Sequence, residues 1–141
     1  MEITPQFVAK INKNSLYTLL GIRIEKAESG RAESRLDANP HVCWPVPGQP
    51  HGGILFTLMD TTMGWAALAS EGIQDGVTIH LDIHYVNPAR GEPLTCVAWV
   101  IHRTGRTCFM QAEIRGSDGA LVATGQSTYR VFKKTVSEFV P

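Results

Sequence analysis

The chain has 141 residues, of which 43% are hydrophobic and 18% are charged. These fractions suit a globular protein with a sizeable core and exclude an intrinsically disordered chain. The formal net charge is zero, so no global field attracts nucleic acid or an anionic membrane. We therefore expect a single domain over residues 1–141, in which any anion is held by local basic side chains.

The first fifty residues predict a helix, a hairpin and an irregular loop. Thr4-Pro5 is a helix start, with an N-cap followed by proline at the first helical position, and the helix is expected over about 4–13. Residues 20–27 and 31–38 flank the turn Glu28-Ser-Gly30 and read as two paired strands. Residues 40–50 contain four prolines, which favour an irregular loop.

A long helix is predicted from about residue 53 to residue 69. One stripe at helical spacing is formed by Leu55, Leu58, Met59, Thr62, Trp65, Ala66 and Ala69. The face that carries Asp60 is apolar too, so we expect the helix to be enclosed on nearly all sides. Asp60 is the only charged residue between His51 and Glu71. A carboxylate in such surroundings needs a hydrogen-bonded partner or a chemical task.

Four β-rich runs follow, over residues 77–86, 94–102, 106–115 and 121–132. The first alternates apolar and polar residues, as a half-buried strand does. Short turns follow the second and third runs, and we expect the last four strands to be antiparallel neighbours. The order of elements indicates an α+β fold, in which one long helix packs on an antiparallel sheet whose edges a partner chain could pair with.

The strand over residues 77–86 carries His80, Asp82 and His84 on one face, which raises the possibility of a metal site. Side chains two apart on a strand lie about 7 Å apart, so the two histidines are about 13 Å from each other. No third ligand has suitable spacing, so the sequence predicts no metal.

The cysteines and the apolar segments indicate a cytoplasmic protein. Cys43, Cys96 and Cys108 are an odd number without CxxC spacing, which favours reduced packing thiols. Cys43 is a conceivable nucleophile, but its neighbours match no family of cysteine enzymes. The first residues lack the basic and apolar regions of a signal peptide. Polar residues interrupt 52–70, so no membrane span is expected.

The sequence His51-Gly52-Gly53, with Asp60 nine positions after the histidine, is the most specific pattern in the chain. A strand that runs into Pro88-Ala89 follows it. These features resemble the hotdog-fold thioesterases, in the PaaI-like branch of the 4-hydroxybenzoyl-CoA thioesterase superfamily. The resemblance extends from about residue 15 to the end. It implies a curved antiparallel sheet wrapped around one long central helix.

The resemblance also implies hydrolysis of an acyl-CoA thioester in a cleft between two subunits of a homodimer or homotetramer. Coenzyme A is then part of the substrate, and no separate cofactor is expected. The N–H of Gly52 or Gly53 at the helix start would stabilise the negative charge that develops on the thioester oxygen. The family's donor maps onto Gly52. Asp60 would act as nucleophile or as general base for water.

Further site residues are carried over in the same way. Thr78 matches a position where some relatives place a serine near the attacking water, contributed by the opposite subunit. His51 is expected to position groups rather than to transfer protons, either by capping the helix or by contacting the substrate. Asp60 has a structural alternative, as a helix carboxylate bonded by Thr57 or Thr61 or by a loop N–H.

Coenzyme A carries phosphates, and Arg90, Arg103 and Arg106 lie near loops where the family binds it. The alternative is that they are ordinary solvated arginines. Lys133 and Lys134 are weaker candidates.

One position departs from the family. Relatives commonly carry Asn or Gln about six residues before the histidine, where this chain has Pro45. Gln49 is a candidate substitute.

Two other functions can be compared with the residues of this chain. A hotdog dehydratase that acts on hydroxyacyl-ACP would have a histidine fourteen residues before the helix acid, where this chain has Val46. A non-catalytic module that binds or senses acyl-CoA is the second alternative, and Pro45 is its best support.

Overall fold

The computed structural model describes residues 2–90 and 93–132. Lys133 and Lys134 lie outside the described residues. The elements in chain order are α1 (Pro5–Ile11), α2 (Ser15–Leu20), β1 (Ile22–Glu28), β2 (Arg31–Leu36), α3 (Pro40–Cys43), α4 (Gly52–Leu68), β3 (Asp75–Tyr85), β4 (Leu94–Arg103), β5 (Thr107–Arg115) and β6 (Leu121–Phe132).

The strands form one antiparallel sheet in the order β1-β2-β4-β5-β6-β3, and α4 packs along it. This arrangement confirms the predicted α+β hotdog fold. The expectation that β3 and β4 are neighbours is wrong, because β3 pairs with β6 over Asp75–Tyr85. Both edges of β4 are already paired, one with β2 and the other with β5. β3 therefore lies at an edge of the sheet, with β5 and β6 between it and β4.

The N-terminal segment contains one element that the sequence did not predict. α1 begins as expected, with the Thr4 side chain accepting the N–H of Phe7 at 3.1 Å. α2 begins where the Asn14 side chain accepts the N–H of Leu16 at 2.9 Å, and it ends at Gly21, whose φ of 88° is left-handed. Leu20 is therefore helical rather than the first residue of a strand. A single helical turn, α3, also occupies the start of the loop predicted over residues 40–50.

The prediction that α4 is enclosed on nearly all sides is wrong for the single chain. The sheet covers one side of the helix, where Leu58, Met59 and Ala66 are fully buried. The opposite side keeps Asp60 half-buried and Phe56 38% exposed, because the sheet ends at β3. None of the described helices, α4 included, is long and apolar enough to cross a membrane.

The edge strand β3 is also less covered than its alternating pattern predicts. Val77 is 55% exposed and Ile79 is 61% exposed. The pairing register shifts between Thr78 and His80, which marks a β-bulge. The bulge changes the phase of the alternation, so that Thr78 faces α4 together with the partly buried Leu81.

Gly125 of β6 sets how closely α4 approaches the sheet, and it supplies a test of the fold. A Cβ added there would lie 2.5 Å from the Asp82 carbonyl oxygen and closer still to the Met59 sulfur. We expect Gly125→Ala to lower the free energy of unfolding by about 1–3 kcal/mol, since this part of the core has no room for a methyl group. Urea denaturation followed by circular dichroism measures the change.

The matched control is Gly105→Ala, because a Cβ added at Gly105 meets nothing within 4 Å. Its effect should stay within about 0.5 kcal/mol. Equal stabilities for the two variants would contradict the packing described for Gly125.

Candidate active site

The backbone N–H groups around Gly52, at the start of α4, are not all bonded within the described residues. The N–H of His51 donates to the Cys43 carbonyl at 2.7 Å. The Gly53 N–H donates to His51 Nδ1 at 2.8 Å, and the Ile54 N–H donates to the His51 carbonyl at 2.9 Å. Among the described residues, no acceptor is recorded for the N–H of Gly52. Of the two glycines, Gly52 therefore keeps its N–H available at the positive end of the helix.

His51 is the N-cap of α4, which begins at Gly52, one residue before the predicted start. Its Nδ1 accepts the Gly53 N–H through the ring lone pair, which is the contact of a helix cap. The structure thus shows the capping role, one of the two that the sequence left open.

A cavity of about 360 Å³ lies beside the Gly52 end of the helix. It is lined by Gln49, Pro50, Gly52, Leu55, Tyr85, Val86, Asn87, Pro88 and Ala89. Gln49 is exposed, whereas Pro45 does not line this cavity. A second cavity of about 220 Å³ shares Asn87 and Pro88 with the first and is lined by Arg90. The predicted residues Gln49 and Arg90 are thus both at the Gly52 end.

Tyr85 belongs to this site, although the sequence indicated only an apolar position on β3. Its hydroxyl donates to the Gly52 carbonyl at 2.7 Å. A Cβ added to Gly52 would lie 3.2 Å from the Tyr85 ring, so a larger residue at position 52 would require the ring to shift by a few tenths of an ångström. The alternation along β3 placed Tyr85 with the core-facing residues but gave no signal for its hydroxyl.

Asp60 is bonded by a residue of β3. The Thr78 hydroxyl donates to Asp60 Oδ1 at 2.7 Å, and no bond to Oδ2 is recorded among the described residues. The Thr57 hydroxyl instead donates to the Gly53 carbonyl at 2.9 Å. The resemblance implied that Thr78 comes from the opposite subunit, whereas here it contacts Asp60 of its own chain. The bulge in β3, which the sequence did not reveal, makes this contact possible.

Two tyrosine hydroxyls near Asp60 remain protonated. Burial raises the pKa of Tyr17; the hydrogen bond that Trp65 Nε1 donates to it at 2.9 Å lowers the pKa, and the charge of Asp60 raises it. Burial also raises the pKa of Tyr129, with a further contribution from Asp75 and then Asp60. Both hydroxyl groups therefore stay neutral near the Asp60 carboxylate.

Gly52 and Asp60 of one chain are too far apart to act on the same atom. Eight residues separate them on α4, which corresponds to about 12 Å along the helix axis. An N–H donor and an attacking group must both lie about 3 Å from the reacting carbonyl. One chain alone therefore does not assemble both groups around a single thioester.

The predicted arginines are not brought together within one chain. Arg103 Nη1 donates to the Glu71 carbonyl at 2.5 Å, just beyond the C-terminus of α4. Arg106 lies in the neighbouring β4–β5 turn. The 17 residues of α4 span about 25 Å, so Arg103 and Arg106 are at the opposite end of the helix from Arg90.

The polar face of β3 forms a pair rather than a cluster. A ring nitrogen of His80 and a carboxylate oxygen of Asp82 are 2.9 Å apart. Within residues 2–90 and 93–132, no three His, Cys, Asp or Glu side chains are grouped so that they could hold a metal ion.

Residues 48–123 of the chain match the sequence model of the thioesterase superfamily. The E. coli PaaI protein from the phenylacetic acid degradation operon superposes with a TM-score of 0.73 and 25% identity, covering 88% of each chain. A hypothetical thioesterase protein of Streptococcus pneumoniae, solved with coenzyme A, has a TM-score of 0.76 and 25% identity, covering 89% of this chain and 96% of that one. Human acyl-coenzyme A thioesterase 13 is 31% identical over 83 residues, 57% of this chain and 59% of that protein.

The family match covers more than half of the chain and includes the open N–H of Gly52, the Asp60 carboxylate and Thr78. The fold agrees with that of the solved proteins, with TM-scores of 0.73 and 0.76. The predicted family is therefore confirmed. The chain belongs to the thioesterase superfamily and is a thioester hydrolase with the hotdog fold.

Proposed function

We propose that the protein hydrolyses acyl-CoA thioesters, with the Gly52 N–H as oxyanion donor and Asp60 as nucleophile or general base. The observation that carries this proposal is the one open N–H at a helix start whose neighbouring amides are bonded. Attack on a thioester carbonyl places negative charge on its oxygen, and an N–H already aimed at that oxygen stabilises the charge without reorganisation. Glycine allows the substrate to approach the backbone closely.

Asp60 supplies the attack in either of two ways. As a general base, its Oδ2 takes a proton from a water molecule whose oxygen adds to the carbonyl carbon. As a nucleophile, Oδ2 itself adds to that carbon, and water then hydrolyses the resulting anhydride. In both cases the C–S bond breaks and the coenzyme A thiolate leaves. The Thr78 hydroxyl, bonded to Oδ1, holds the carboxylate in one orientation and leaves Oδ2 for the reaction.

We propose that two subunits share each site. Because the two groups of one chain are about 12 Å apart, Gly52 of one chain would act with Asp60 of another. β3 is an edge strand with exposed apolar side chains, and pairing with β3 of a second copy would cover them. A two-fold axis there sets the two α4 helices antiparallel, which brings the start of one towards the middle of the other. Either a homodimer or a homotetramer satisfies this requirement.

We further propose how the substrate is held. Arg90 is exposed on the second cavity, where its guanidinium can pair with a coenzyme A phosphate. Arg103 and Arg106 would reach the same substrate only from the partner subunit. Gln49, at the cavity beside Gly52, would supply the amide that Pro45 lacks. The Streptococcus pneumoniae structure with coenzyme A supports the choice of substrate class.

We also place the protein in the cytoplasm. Cys43, Cys96 and Cys108 are free and buried, and burial raises the pKa of Cys96 to about 12. Protonated, unpaired thiols suit a reducing compartment.

The non-catalytic alternative rests on Pro45, which provides no side-chain amide for the thioester. A free-thiol assay over benzoyl-, butyryl- and palmitoyl-CoA separates the two functions and identifies the preferred acyl group. Thiol release from any of the three supports the enzyme, whereas saturable binding without release supports a binding module.

The Asp60→Asn variant tests the chemical step. Asparagine keeps the size of the side chain and can still accept the Thr78 bond, but it neither takes a proton nor attacks a carbonyl. We expect kcat for thiol release to fall by about 100-fold or more while the fold persists. The control is Asp82→Asn, since the Asp82 side chain is 75% exposed and pairs with His80. Turnover in Asp60→Asn within threefold of wild type would reject the mechanism.

The Ile79→Asp variant tests the shared site. A charge in the middle of the proposed β3 interface should dissociate the oligomer and abolish thiol release in parallel, because each site would lose half of its groups. Light scattering and the thiol assay on the same samples measure the two effects. Leu16→Asp is the control, since Leu16 of α2 is 49% exposed and far from β3 in the sequence. A wild-type monomer with full activity would exclude shared sites.

A further inference from the structure

The peptide unit between Gly52 and Gly53 is held by side chains at both of its polar ends. The Tyr85 hydroxyl donates to its carbonyl at 2.7 Å, and its N–H donates to His51 Nδ1 at 2.8 Å. The carbonyl and the N–H of a trans peptide point in opposite directions, so these contacts hold the unit from two sides. One side chain comes from β3 and the other from the residue before α4.

These two contacts act on Gly52, one of two glycines at the helix start. The N–H of Gly52 belongs to the preceding peptide, whose carbonyl accepts the Ile54 N–H at 2.9 Å, and its direction relative to the held peptide depends on the φ and ψ of Gly52. Glycine limits those angles less than any other residue. The Tyr85 ring lies where a side chain would begin, because an added Cβ would be 3.2 Å from its Cζ and Oη atoms. Tyr85 therefore supplies the restriction that glycine lacks.

We propose that Tyr85 is a positioning residue for the reaction: together with His51 it fixes the peptide between Gly52 and Gly53, which restrains the backbone angles of Gly52 so that the open N–H of the preceding peptide points at the thioester oxygen. The inference rests on the proposed role of Gly52 as oxyanion donor. Tyr85 acts through Gly52 and does not itself need to touch the substrate. Oxyanion stabilisation depends on donors that are aimed in advance, so a looser peptide costs transition-state stabilisation more than substrate binding.

The protonation of the Tyr85 hydroxyl suits this role. Burial raises the pKa of Tyr85, so its hydroxyl stays protonated and remains a donor to the Gly52 carbonyl.

The Tyr85→Phe variant separates positioning from packing, since it keeps the ring over Gly52 and removes only the hydroxyl. Steady-state thiol release should show kcat lowered about tenfold with KM within about twofold of wild type, because the loss falls on the transition state. The oligomeric state and the circular dichroism spectrum should not change. If Tyr85 only packs, both kinetic constants stay within twofold, and the proposal is wrong.

A spectroscopic signature reports on the donor directly. The probe is whichever of benzoyl-, butyryl- or palmitoyl-CoA the wild type hydrolyses fastest, labelled with 13C at the carbonyl and bound to the slow Asp60→Asn variant. A donor aimed at the carbonyl oxygen lowers its infrared stretching frequency relative to the free ester. In Asp60→Asn/Tyr85→Phe that shift should shrink by about half or more.

The matched control is Asp60→Asn/Tyr129→Phe, which also removes a tyrosine hydroxyl bonded to a backbone carbonyl, that of Gly76 at 3.0 Å. It should keep the full shift, because Gly76 lies outside α4. If Asp60→Asn and Asp60→Asn/Tyr85→Phe show equal shifts, the proposed role of Tyr85 is wrong and that of Gly52 still stands. No thiol release by the wild type, or no shift in Asp60→Asn, overturns the role of Gly52 and this proposal with it.

Discussion

The site depends on an uneven satisfaction of hydrogen bonds at the start of α4. A helix begins with N–H groups that have no partner within the helix, and proteins usually satisfy them with a cap or with water. Here a histidine ring, its own carbonyl and the Cys43 carbonyl account for the amides on either side of Gly52. Among these amides, the N–H of Gly52 stays available to a ligand. The His51 cap thus determines which N–H a ligand can bind, in addition to starting the helix.

A second constraint is that one sheet of six strands covers only one side of a 17-residue helix. The uncovered side carries Asp60 next to β3, whose own apolar residues are also exposed. A second subunit that covered this surface would therefore also complete the proposed site. A second subunit would bury apolar area and would deliver the missing catalytic group in one step, which ties turnover to assembly. Stability and activity of such a protein are expected to depend on concentration together.

Local patterns in the sequence were sufficient for features that local physics decides. The apolar stripe of α4, the three hairpins and the spacing from His51 to Asp60 each follow from neighbours a few residues apart. The position of β3 beside β6 did not follow, because it depends on both edges of β4 being taken by distant strands. The contact of Thr78 with Asp60 depends on a bulge, and the bond from Tyr85 to Gly52 joins residues 33 apart. Arg90 and Arg103 are both predicted to lie near loops that bind coenzyme A, yet in the structure they lie at opposite ends of α4.

The loop between α3 and α4 has a consequence for how this protein can change. Pro45, Val46, Pro47 and Gln49 are exposed, and Gln49 lines the cavity beside Gly52. The loop's recorded backbone bonds are a local turn, from the Gln49 N–H to the Val46 carbonyl, and the bond from His51 to Cys43 at its end. Substitutions at its tip can therefore reshape the cavity without disturbing the helix start. Under the proposed function, the attacking and oxyanion groups lie on α4, so substitutions in this loop can alter the acyl specificity while Gly52 and Asp60 stay unchanged.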